Sequence, residues 1–89
     1  MRIRELHWLD HIVDKIERKH RVSPDEVEEM FRSELHVRAG AAGTYRAYGR
    51  TLVGRYLFAV FVMEESATAR IITAREMTNS ERKLYHQSR

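Results

Sequence analysis

Cysteine is absent from this chain of 89 residues, and proline occurs only once. Without thiols, neither disulfides nor a thiolate metal site can staple the fold. No long hydrophobic run is present either. The strongest one, Tyr56 to Met63, is far shorter than the roughly 20 residues of a membrane-spanning helix. The opening MRIRELHWLDHIV lacks the continuous apolar core of a secretory signal. These absences point to a cytoplasmic protein with no membrane contact. The five histidines, His7, His11, His20, His36 and His86, follow no ligand-like spacing, so neither a metal nor another cofactor is expected. Common enzyme signatures such as GxSxG, HExxH, GxGxxG and the P-loop are missing as well.

What is present describes a small folded protein. Hydrophobic residues make up 43% and charged residues 33%, a balance too apolar for a disordered chain. The length allows one domain, residues 1–89, which buries only about 60–65% of its unfolded surface. Net charge is +3, but unevenly spread. Residues 1–34 hold seven Lys/Arg against nine Asp/Glu, and residues 35–89 hold nine against four. Between Leu35 and Met63 there are four arginines and no acid. A localised basic excess attracts polyanions, although a solvated surface accounts for charge asymmetry equally well.

Periodicity divides the chain into helices first and strands afterwards. Leu9, Ile12, Val13, Ile16 and His20 recur at helical spacing, predicting a first helix from Leu6 or Trp8 to about His20. RIRELHW at the start reads alternatively as a short edge strand. In VSPDEV, Ser23 is an N-cap, Pro24 the first helical residue and Glu26 the capping-box partner, with Val22 placed to staple against Val27. Val27, Met30 and Phe31 form the expected buried face of this second helix. From Leu35 the period becomes extended: ELHVR, TYRAYGRT, RYLFAVFVM and ATARIITAR read as strands. RYLFAVFVM is apolar on both faces, as a covered central strand requires. Thr78 and Glu81 make a second capping box that launches a last helix. The expected class is α+β: two N-terminal helices, a three- or four-stranded antiparallel meander and a C-terminal helix.

The chemistry-bearing residues gather in the second half. Strand parity places Arg70 with Ile72 and Ala74 on one face, and Ile71, Thr73 and Arg75 on the other. Arg70 and Arg75 then share a site only if the strand twists or ends between them. On the last helix Arg82, Tyr85 and His86 share a face, and Arg75, Arg82 and Tyr85 are expected to converge. Arginine forks match phosphate oxygens, and a tyrosine or histidine beside them can move protons, which together suit RNA cleavage without metal. The structural alternatives are equally concrete. Tyr85 packs on the sheet, Arg82 pairs with Glu81 or Glu76, His86 complements a helix dipole, and His20 caps a helix end.

RIITAREMTNSERKLY resembles the R-I-I-S-A-R…E-R…Y signature of the BrnT family, ribonuclease toxins of type II toxin–antitoxin pairs. Trp8, KHRVS at Lys19–Ser23, Phe31 and YGRTLVGRYLFAVF fall in register with the same family. The resemblance covers nearly the whole chain. It implies a RelE-like fold, metal-independent endoribonuclease action on RNA, and restraint by a cognate BrnA-like antitoxin in a homodimer or toxin–antitoxin hetero-oligomer. It carries Arg55, Thr73, Arg75, Arg82 and Tyr85 into the catalytic set, and Lys19 and His20 onto the family's K-H. Arg46, Arg50, Arg70, Lys19 and Lys83 are the expected nucleic-acid-binding residues. The family's polar positions along the first helix are Leu9, Ile12 and Ile16 here, which points to scaffold. The usual serine is Thr73, and Arg46 lies two residues beyond Thr44, where an arginine is common. A toxin-like module that binds antitoxin or nucleic acid without cutting is the alternative.

Overall fold

In the computed structural model, which describes residues 1–88, the elements are β1 (Glu5–His7), α1 (Asp10–His20), α2 (Pro24–Phe31), β2 (His36–Ala39), β3 (Tyr45–Arg50), β4 (Tyr56–Glu64), β5 (Thr68–Glu76) and α3 (Asn79–Gln87). Both predicted capping boxes form. Ser23 Oγ accepts from Glu26 N at 3.2 Å while Glu26 Oε1 accepts from Ser23 N at 3.0 Å. Thr78 Oγ1 and Glu81 do the same at the start of α3, at 3.2 and 2.9 Å. Each box satisfies two backbone donors that a helix N-terminus otherwise leaves orphaned.

The strands form one sheet in the order β1-β5-β4-β3-β2. β2 to β5 are an antiparallel meander, and β1 pairs in parallel with β5 through Glu5–Thr68, Leu6–Ala69 and His7–Arg70. The sheet is thus mixed and five-stranded, which corrects the expected three- or four-stranded antiparallel meander. The added strand is three residues long, too short to display the period-2 alternation that marks a strand in sequence. It also shortens α1, which starts at Asp10.

α1 and α2 cover one face of the sheet. Ile12, Ile16, Val22, Val27 and Met30 meet Ala47, Leu57, Ala59, Phe61, Ala69, Ile71 and Ala74 in the main core. Phe61 is stacked on Tyr45 and takes the edge of Phe31. Ile12 and Ile16 are core residues, as the scaffold expectation for α1 requires. A second, smaller cluster of Tyr48, Phe58, Met77 and Tyr85 lies on the opposite face under α3. β4 therefore feeds both cores, which explains its two apolar faces.

One irregularity decides which arginines share a face. Between Val60 and Phe61 the β4–β5 register shifts: Phe61 pairs with Ile71 but Val60 pairs with Thr73, leaving Ile72 as the extra residue. A bulge of this kind resets side-chain alternation. Ile71 and Ala74 both reach the main core, while Arg70, Thr73 and Arg75 stand opposite Val62, Val60 and Phe58 on the other face. The simple parity that separated Arg70 from Arg75 does not hold.

Candidate functional site

Tyr56, the first residue of β4, is the meeting point of the cationic side chains. The Arg50 guanidinium carbon lies 4.8 Å from its ring centroid and that of Arg82 lies 4.3 Å from it. His86 stands edge-on with ring centroids 5.3 Å apart. The hairpin joining β3 to β4 makes this possible by pairing Arg50 with Tyr56. Gly54 in its turn has φ +88°, and a Cβ there would come within 3.2 Å of Arg50 Nη2, so glycine both bends the chain and leaves room for the guanidinium. Two residues along β4 on the same face, Phe58 carries a third guanidinium, that of Arg75, at 4.2 Å. Arg75 and Arg82 thus lie on one side of the sheet, as expected.

Their partners differ. Arg75 forms a fork with Glu81, Nη1–Oε1 2.8 Å and Nη2–Oε2 3.0 Å, and donates to the Glu76 carbonyl at 2.9 Å. The hydrogen bonds to Glu81 raise the pKa of Arg75, and those from Arg75 lower that of Glu81. Arg82 pairs with neither Glu81 nor Glu76. Among the described residues, neither Arg50 nor Arg82 has a carboxylate partner, and Arg50 Nε is buried without an acceptor. These two guanidiniums keep donors available for a phosphate.

Arg55 is bound up in structure. Its Nη1 donates to Glu26 Oε2 at 2.8 Å and to the Arg21 carbonyl at 2.8 Å, and its Nε donates to Glu76 Oε2 at 3.0 Å. Burial works against its charge, but the bonds to Glu26 and Glu76 outweigh it and hold the pKa above the ordinary value. Burial likewise opposes the Glu26 charge, and the Ser23 amide and Arg55 overcome it, leaving the carboxyl below its usual range. Arg21, in the left-handed region with φ 54°, ends α1 and turns its carbonyl to Arg55. Arg55 therefore ties the α1–α2 corner to the hairpin and to the end of β5.

Tyr85 is buried, at 1% exposure, and its hydroxyl donates to the Glu34 carbonyl at 2.8 Å. It supports Tyr56 with ring centroids 6.1 Å apart, and the exposed ring beside Tyr56 is that of His86. Thr73 is half-buried on the open part of this face. Cross-strand from it through Val60 stands Arg46, which is exposed and donates weakly to the Ala39 carbonyl at 3.4 Å. Arg70 pairs with Glu64 at 3.0 Å farther along β5. Lys83 is exposed on α3. Lys19 is exposed in the last turn of α1, on the other side of the sheet, with His20 half-buried beside it. Among the described residues no cluster of three or more His, Asp or Glu could hold a metal ion, and no helix is long and apolar enough to cross a membrane.

Sequence reasoning missed Tyr56 as the hub and Glu26, Glu76 and Glu81 as the carboxylates that occupy the motif arginines. The signal for Tyr56 lay in the hairpin, since a turn over Thr51–Gly54 sets Tyr56 opposite Arg50.

Residues 8–81 match the model of the ribonuclease toxin BrnT of type II toxin–antitoxin systems. The chain belongs to the BrnT family. A crystal structure of the Brucella abortus ribonuclease toxin BrnT shares the fold with a TM-score of 0.71, over 84% of this chain and 97% of that one, at 16% identity. No curated protein gives a sequence match. The BrnT match ends at Glu81, so Arg82, Tyr85 and His86 lie just beyond it, on the helix that Glu81 caps.

Proposed function

We propose that this chain is a toxin-type endoribonuclease that cuts RNA without a metal ion and is neutralised by a cognate BrnA-like antitoxin. On this reading the whole chain acts in the cytoplasm as one toxin domain, akin to the RelE-like toxins. Family membership supports the ribonuclease class. The observation that carries the reading is the pair of guanidiniums, Arg50 and Arg82, stacked on Tyr56 without acid partners among the described residues and next to the exposed ring of His86.

In the proposed reaction a scissile phosphate sits against Arg50 and Arg82, whose fixed charges offset the extra charge of the transition state. His86 accepts the 2′-hydroxyl proton, the 2′-oxygen bonds to phosphorus, and the P–O5′ bond breaks. The leaving 5′-oxygen takes a proton from solvent, and the upstream fragment ends in a 2′,3′-cyclic phosphate. Arg75 supports the same charge when phosphate competes with Glu81. Flanking RNA runs past Thr73 and Arg46 towards Arg70, with Lys83 on the α3 side. Arg55 and Tyr85 hold the platform.

Controlled expression tests the reading. The chain alone should arrest growth with fragmented cellular RNA, and co-expression with the adjacent gene product should restore both. Normal growth with intact RNA would overturn it. That result would favour the non-cutting module, for which one observation speaks: Arg55 and Arg75 are held by glutamates and Tyr85 is buried.

A further inference from the structure

Beside Arg50, on the side of α2, lies a pocket of about 350 Å³. It is at the small end of ligand sites, roughly 300–1,000 Å³, and suits one heterocyclic base. Next to it α2 lies close against β3: a Cβ on Gly49 would approach the Met30 carbonyl to 2.9 Å. The lining includes two glutamates, Glu29 and Glu34, and two arginines, Arg32 and Arg50. Their charges offset, so the pocket suits a neutral polar group rather than the phosphate that the Arg50–Arg82 pair suits. Leu52, exposed on the hairpin tip, adds an apolar wall, and Tyr85 another.

Within this lining Glu29 supplies an acceptor, beside the donors of Arg32 and Arg50. Glu29 Oε1 accepts from Leu52 N at 3.0 Å, which fixes the carboxylate against the hairpin. No donor among the described residues reaches its second oxygen. The pocket also lies at the C-terminal end of α2, the negative end of the helix dipole. Among the four RNA bases only guanine presents two adjacent donors, N1–H and the 2-amino group, on its Watson–Crick edge, and single-stranded RNA is read by such edges.

We propose that this pocket is a base-selecting subsite that takes guanine next to the cleaved phosphate, with Glu29 as its specificity-determining residue. The inference rests on the ribonuclease reading above. Arg50 links the two parts, since it lines the pocket and stacks on Tyr56.

The test uses the full chain and short oligoadenylate RNAs with one position changed to guanosine, cytidine, uridine or inosine, which lacks the 2-amino group. Cleavage next to guanosine should exceed the other sites at least about tenfold, and inosine should lose most of that gain. Glu29→Gln keeps an oxygen for Leu52 N, so the hairpin stays held. It should lower cleavage at guanosine and shrink the preference to less than about threefold. Equal cleavage at guanosine and inosine, or an unchanged preference in Glu29→Gln, would overturn the subsite. Cleavage of none of these RNAs would overturn the ribonuclease reading instead. Titration with guanosine and inosine 5′-monophosphates followed by NMR then decides the pocket: tighter guanosine binding supports it and equal binding overturns it.

Discussion

Tyr56 and Tyr85 are neighbours with opposite duties. Tyr56 is half-exposed and gathers Arg50, Arg82 and His86, each cation–π contact contributing about 0.5–1 kcal/mol at such a site. Tyr85 is enclosed and spends its hydroxyl on the Glu34 carbonyl. Tyr85→Phe should therefore cost about 1 kcal/mol of stability, read from urea unfolding, while RNA cleavage stays within about twofold of wild type. A loss of a hundredfold or more would return proton transfer to Tyr85. Alongside the exposed Glu64, whose carboxyl His7 and Arg70 hold below its usual range, Glu26 and Glu81 contribute to the acid sensitivity. Both have folded pKa values below the ordinary 4.5, so their stabilisation is complete above that value. It is lost as pH falls through the lowered folded values. A stability profile from pH 7 downwards should fall most steeply below the ordinary value, and Glu81→Gln should flatten part of that fall.

At the scale of elements, α3 is held by one carboxylate with two tasks. Glu81 accepts from Thr78 N in the capping box and forks Arg75 on β5, so the start of the helix and the end of the strand are fixed together. Thr78→Ala should cost about 1 kcal/mol and speed hydrogen exchange in α3 more than in the sheet. Both capped helices were legible in sequence because caps are local and need only a few residues in order. β1 was not, because three residues carry no period and its pairing with β5 bridges about sixty positions. The bulge at Ile72 was hidden for a related reason. Register depends on the partner strand, and nothing within ARIITAR marks Ile72 as the extra residue. Arg75 and Arg82 were brought together by pattern alone, whereas the occupation of Arg55 by Glu26 and Glu76 required the tertiary fold.

Across the whole molecule, charge and architecture coincide. The acids of α2 lie on one side of the sheet, and the open part of the other side carries Arg38, Arg46, Arg70 and Arg75 beside the arginines at Tyr56. A polyanion approaching that face gains counterion release. Arg50 and Arg82 are the cations there that combine an aromatic support with no carboxylate partner among the described residues. The decisive measurement is cleavage of purified RNA by the purified protein in excess EDTA, with Arg50→Ala and Arg82→Ala alongside. Wild type should produce fragments ending in 2′,3′-cyclic phosphate, and each variant should be slower at least about a hundredfold while still folding, its melting temperature lowered only by the few degrees that loss of one cation–π contact implies. RNA left intact by wild type, or cut at the wild-type rate by the folded variants, would contradict the assignment.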